Sequence, residues 1–151
     1  MASNKHSKIE LDNFWPYQVV VLADQISRHT LSVVRHNSDL NLSQWRVLAA
    51  VAEKPGRSAA EVTDVTPMDK TIVSRAVASL IDARLIKKTQ TAHDKRRLAL
   101  TVTEAGQAIY HDISAELNDA LGETIAEGLS PEKFVKTLKQ FSQFMDNQPA
   151  K

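Results

Sequence analysis

Ser58-Ala59-Ala60-Glu61-Val62-Thr63-Asp64-Val65-Thr66-Pro67-Met68-Asp69-Lys70-Thr71-Ile72-Val73-Ser74-Arg75 is the stretch whose reading decides the fold. It opens on the spacing S-x-x-E. There a serine hydroxyl and a glutamate carboxylate each satisfy an amide that the first helical turn leaves unpaired. This predicts a short helix over 58–65. Thr66-Pro67-Met68-Asp69 then interrupts it. Either Thr66 caps the next helix with Pro67 in its first position, or Asp69 is itself the cap. Ile72, Val73, Ala76, Val77, Leu80 and Ile81 continue at helical spacing to about residue 83. Two helices joined by so short a turn form a helix–turn–helix unit.

Working outward, the apolar period changes after this unit. Residues 85–91 read as a strand, and Leu98, Leu100 and Val102 alternate as a second strand. Between them, Ala92-His93-Asp94-Lys95-Arg96-Arg97 makes a polar, basic hairpin tip. A basic hairpin directly after the second helix makes the unit a winged helix. Upstream, Ser43 is the expected cap of a helix carrying Trp45, Leu48, Val51 and Ala52, which Pro55-Gly56 ends. Before it, residues 11–34 place Phe14, Val19, Leu22, Ile26, Leu31 and Val34 on a long first helix entered near Pro16. Downstream, Thr103 caps a helix through Ile113, Leu117, Leu121 and Ile125, and Gly128 ends it. Ser130-Pro131 opens a last helix with Phe134, Leu138, Phe141 and Met145. The expected fold is mainly α with a small β-hairpin wing. Its regions are 1–42 (N-terminal helix and polar tail), 43–103 (winged helix–turn–helix) and 104–151 (C-terminal helices). The amphipathic ends exceed what one small domain needs, and a second copy of the chain is the simplest partner for them.

Composition bounds the function. The chain has 151 residues, 42% of them hydrophobic, enough for a packed core. It has no cysteine, so disulfides and thiol redox switches are excluded. No apolar run approaches the roughly 20 residues of a membrane span, and the polar first residues lack the apolar stretch of a signal peptide. The expectation is a cytoplasmic protein without membrane contact. Net charge is only +1, but it is segregated. Residues 84–97 carry Arg84, Lys87, Lys88, Lys95, Arg96 and Arg97 against Asp94 alone. Residues 104–132 carry Glu104, Asp112, Glu116, Asp119, Glu123, Glu127 and Glu132 without a single Lys or Arg. One reading is a face for a polyanion and a face kept away from it; the other is two ordinary solvated faces. No nucleophile–base–acid set, phosphate-binding glycine loop or H-E-x-x-H motif occurs, so no enzyme is expected. His29 and His36 share a helix face and could join His111, but they lack close i, i+4 pairing. No metal or other cofactor is expected.

The residues 42–106 resemble the MarR family, the multiple-antibiotic-resistance regulators. The resemblance is carried by Leu42-Ser43-Gln44-Trp45-Arg46-Val47-Leu48, by Thr71-Ile72-Val73-Ser74-Arg75 in the second helix, and by 80–86 at its exit. It continues through Asp94-Lys95-Arg96 in the wing to Val102-Thr103-Glu104-Ala105-Gly106, the family's D-x-R and its leucine-threonine-x-x-glycine-like close. With the flanking helices it covers nearly the whole chain. Two positions depart from the pattern. Arg84 stands where the family often has the glycine that favours a left-handed helix exit, and Val102 replaces a leucine.

The resemblance implies a homodimeric DNA-binding transcriptional regulator, commonly a repressor, with recognition helix 69–83 in the major groove and wing 92–97 in the minor groove. Lys70 and Thr71 then face base edges. Asp69 is either the helix cap or an acceptor from cytosine. Ser74, Arg75 and Ser58 suit phosphate contacts. Arg96 enters the minor groove, Asp94 orients it, and Lys95 and Arg97 add attraction for phosphate. The operator is then an approximate palindrome with half-sites about 34 Å apart. Phe14, Trp15, Tyr17, Leu117, Leu121, Phe134, Leu138, Phe141 and Phe144 are the expected dimer contacts. A small aromatic or phenolic ligand is the implied effector, with Trp15, His29, Trp45 and Arg46 as candidate pocket residues. The alternative is a winged-helix protein-interaction module without sequence-specific DNA binding.

Overall fold

The computed structural model describes residues 8–90, 93, 97–122 and 128–148. Among these, six helices and one two-stranded antiparallel sheet follow in the order α1 (Trp15–Asn37), α2 (Leu42–Glu53), α3 (Ala59–Val65), α4 (Lys70–Asp82), β1 (Ile86–Gln90), β2 (Leu98–Val102), α5 (Glu104–Gly122) and α6 (Pro131–Asp146). The chain divides into two compact units, 1–113 and 114–151. This is a mainly α winged helix.

The first unit is built on local signals. Pro16 lies in the first turn of α1, where its missing amide proton costs no hydrogen bond. The expected Ser43 cap is corrected. Asn41 caps α2, accepting from the Gln44 amide at 2.9 Å while Gln44 Oε1 accepts from the Asn41 amide at 2.8 Å. Asn41 and Gln44 have the capping-box spacing, so two orphan amides are satisfied at once, and Ser43 falls inside the helix. Ser58 and Glu61 form the second capping box as expected, opening α3. Of the two readings for α4, the structure takes Asp69, whose Oδ1 accepts from the Ile72 amide at 2.8 Å.

The core lies where α2, α3, α4 and the base of the hairpin meet. Leu48, Val51, Val62, Leu80, Ile86 and Leu100 have almost no exposed surface. Full burial of each such side chain stabilises the fold by about 1.5–3 kcal/mol relative to exposure. Strand β1 pairs with β2 from Ile86↔Val102 to Gln90↔Leu98. Only Ile86 of β1 is buried, so the hairpin is rooted in the core and its far end stands in solvent.

The exit from α4 settles the conformation at Arg84, which sits at φ +58°. Its amide donates to Ile81 O and that of Leu85 to Leu80 O, both at 2.9 Å. These are the two bonds of a Schellman ending, and Leu80 and Leu85 on either side of it are both buried. The arginine therefore adopts the left-handed conformation that glycine would favour. Immediately after β2, Thr103 Oγ1 accepts from the Gly106 amide at 3.2 Å and donates to Arg84 O at 2.7 Å, tying the start of α5 to this exit. Gly106 is buried, and a Cβ there would collide with the Leu85 carbonyl oxygen.

The second unit contains the end of α5 and helix α6. Ser130 caps α6, and Pro131 follows in its first turn. Gly128 takes φ +80°, while Ile125 and the expected end of the preceding helix fall among 123–127, outside the described residues.

Candidate nucleic-acid interface

Helix α4 buries Val73, Ala76, Val77 and Leu80. At about 100° per residue this sends Thr71, Arg75, Ala78 and Asp82 directly away from the core, with Ser74 beside them. Lys70 and Ile72 flank that face, one on each side. All seven are exposed. A positive, hydroxyl-rich and partly apolar surface thus occupies the N-terminal half of the helix. Ile72, which its spacing assigned to the apolar side, is 40% exposed.

The start of α2 braces this helix. Gln44 Nε2 donates to Ser79 Oγ at 2.6 Å, and a shallow groove lined by Asn41, Ser43, Gln44, Ile72, Arg75 and Ser79 runs between the two helices. The contact joins residues 35 apart, and no local pattern announces it.

Beyond α4, exposed Arg84, Lys87 and Lys88 extend the positive surface along β1. Asp94, Lys95 and Arg96 lie outside the described residues. Arg97 is described, and its Nη2 donates to Glu61 Oε2 at 2.6 Å. The same Glu61 oxygen accepts from the Ser58 amide at 2.7 Å. That amide bond, followed by the Arg97 guanidinium, holds the Glu61 carboxyl down at about 2. Ser58, expected at a phosphate, thus has its amide taken by Glu61, and its hydroxyl accepts from the Glu61 amide at 3.2 Å. Strand β2 is also bound to the loop before α3. Gly56 N donates to Leu100 O and Leu100 N to Arg57 O, each at 2.8 Å.

A model of the MarR family matches residues 38–97, the span from the end of α1 to the base of the wing. A solved MarR/EmrR family transcriptional regulator from Acinetobacter sp. ADP1 superposes with a TM-score of 0.79 over 93% of this chain and 100% of that one, at 21% identity. Over residues 38–97 the chain matches the MarR family, and the curated relatives it resembles are transcriptional regulators. Among curated relatives, the HTH-type transcriptional regulator TcaR of Staphylococcus aureus (strain Newman) is 26% identical over 117 residues, 76% of each chain. The transcriptional regulator HosA of Escherichia coli O157:H7 is 25% identical over 112 residues, 74% of this chain and 82% of that protein. The fold of this chain is also that of Streptococcus pneumoniae FabT, with a TM-score of 0.68 at 17% identity over 91% of this chain and 99% of FabT.

Within the first unit, a second groove of about 520 Å³ is lined by Trp45, Arg46, Glu53, Arg57, Pro67 and Tyr110 among others. Trp45 is buried and stacks on Tyr110 at 5.8 Å between ring centroids. Arg46 Nη2 donates to Ser27 Oγ at 3.2 Å. Two of the four candidate pocket residues, Trp45 and Arg46, therefore meet here, whereas Trp15 and His29 are not part of the lining. Tyr110 is the aromatic partner that the sequence reading missed.

Apolar side chains stand in solvent on both units. In the first, Phe14, Trp15, Tyr17, Val20 and Ile26 are exposed along α1. In the second, α6 buries no residue, and Phe134, Leu138, Phe141 and Phe144 are exposed. Leu121 is exposed and Leu117 half-buried on α5. No helix among the described residues is long and apolar enough to cross a membrane.

Proposed function

We propose that the chain acts in the cytoplasm as a homodimeric, ligand-responsive repressor that binds a pseudo-palindromic operator. The observation that carries this reading is the outward face of α4. Thr71, Ser74 and Arg75 project from it, with Lys70 at its edge and basic β1 alongside. Lys70 can donate to guanine O6 and N7, and the Thr71 methyl can touch thymine. Ser74 and Arg75 serve the phosphates, which fix register without reading sequence. Asp69, engaged as the cap, is left out of base reading. The neighbouring structure of FabT is a complex with DNA, which supports this use of the shared fold.

Dimerisation rests on the exposed faces of α1 and α6. Burying one phenylalanine contributes about 1.5–3 kcal/mol, and α6 alone offers three of them to a partner. For the effector, the Trp45–Tyr110 stack beside Arg46 and Arg57 suits a planar aromatic acid, the rings giving apolar surface and a guanidinium its counter-charge. Solved neighbours with ligands include Rhodococcus jostii CouR with p-coumaroyl-CoA and Staphylococcus aureus MarR with salicylate and kanamycin. A ligand releases DNA only if it binds better to a form of the dimer that misfits the operator.

The test is a selection from genomic DNA with the purified full chain. The expected result is one enriched motif with two-fold symmetry. In the same assay Arg96→Ala should weaken binding to the enriched site by about 1–3 kcal/mol and leave the dimer intact. A chain that enriches no motif overturns the reading in favour of a protein-interaction module.

A further inference from the structure

We propose that Glu61 is the positioning residue of the wing, its carboxylate clamping Arg97 so that the hairpin is held against α3 at a fixed angle before DNA arrives. The proposal rests on the reading of the hairpin as a DNA-contacting wing. Three observations carry it. Glu61 is itself immobilised, because Oε2 accepts from the Ser58 amide at 2.7 Å in the α3 capping box. Arg97 reaches that same oxygen at 2.6 Å from the residue directly before β2, across 36 positions of sequence. Three residues further on, Leu100 makes its two backbone hydrogen bonds to Gly56 and Arg57. Strand β2 is therefore fastened twice to the loop and first turn that open α3. Two anchor points fix a direction where one leaves a pivot. The consequence for Arg97 differs from a plain phosphate contact: its charge serves the hairpin's geometry, and the residues before it do the reaching.

The sign of one substitution separates this from simple electrostatics. Glu61→Gln keeps the capping box, since glutamine fills that position as well as glutamate, and Gln44 does so in α2 of this chain. It removes only the charge. Deleting a negative charge beside a DNA-binding surface should tighten binding. Loss of a positioning contact should loosen it. For a partly exposed ion pair the expected effect is about two- to fivefold weaker binding.

The experiment compares the full-length parent, Glu61→Gln, Arg97→Gln and the double variant in two assays. Hydrogen exchange without DNA follows the Gly56 and Leu100 amides. Titration then uses the duplex enriched by the selection above. The expected result is faster exchange at both amides in either single variant, thermal midpoints lowered by no more than a few degrees, weaker binding in Glu61→Gln, and a double variant no worse than the singles. Unchanged exchange, or tighter DNA binding by Glu61→Gln, overturns the proposal. Should the parent bind no DNA, the functional reading fails, and the exchange assay still decides whether Glu61 anchors the hairpin.

Discussion

Arg84 shows how one residue carries a backbone demand against its own preference. A left-handed conformation costs a residue with a Cβ about 1–2 kcal/mol, and Arg84 holds it because its amide is bonded to Ile81 O and that of the next residue, buried Leu85, to Leu80 O. Arg84→Gly should therefore stabilise the protein by about 0.5–1 kcal/mol, the strain relieved less the extra entropy of an unfolded glycine. Chemical denaturation measures it, and a loss of stability would show that the arginine side chain matters more than its backbone. Gly106 makes the opposite case. Alanine normally helps a helix by about 1 kcal/mol, but here its Cβ meets the Leu85 carbonyl oxygen and lies 2.8 Å from Val102 Cγ1. Backbone cannot rotate aside as a side chain can, so overpacking of about 1–3 kcal/mol prevails. Gly106→Ala should lower the thermal midpoint by several degrees; an unchanged midpoint would mean that α5 shifts at little cost. The final glycine of the resemblance is thus a matter of close approach between α5 and the α4 exit.

At the scale of elements, caps made much of the fold readable. Ser58 and Glu61 sit three apart, as do Asn41 and Gln44, and Asp69 sits three before Ile72, so each helix start is written locally. Ser43 misled because serine and asparagine are both good caps; the glutamine three residues after Asn41 decides between them. What was not legible joins elements far apart in sequence, such as Gln44 with Ser79, Glu61 with Arg97 and Trp45 with Tyr110. Apolar spacing also misjudged Ile72, because it cannot tell the edge of a buried face from its centre. The Glu61 contact has a pH signature. Its carboxyl is lowered from 4.5 to about 2, so whatever it contributes is present in full above the ordinary value and lost as pH falls from about 4.5 through about 2. The pair should thus be indifferent to pH across the neutral range. A carboxyl-carbon NMR titration of Glu61 should show a midpoint near 2, whereas a midpoint above 4 would mean that neither the Ser58 amide nor Arg97 holds the carboxylate in solution.

On the scale of the whole molecule, a net charge of +1 conceals an uneven distribution of charge along the chain. Residues 84–97 carry six positive residues against Asp94 alone, while 104–132 carries seven acids and no Lys or Arg. Such a separation is what a face for a polyanion requires, and two ordinary solvated faces can also produce it. The sequence made this visible. It could not say which apolar residues stay uncovered in a single chain, since helical spacing in α6 looks the same whether its face is buried or awaits a partner. The exposed aromatics of α1 and α6 are what a second copy would cover.

A dimer of this chain is expected to neutralise phosphates with two wings and two recognition helices at one site. The most direct test is the affinity of the full-length protein for the selected duplex, titrated across salt concentrations with stoichiometry determined in parallel. Two chains per duplex are expected, with a log–log slope of about −5 to −9, the value for roughly six to ten phosphate contacts. One chain per duplex, or a slope near that of a single contact, would contradict it.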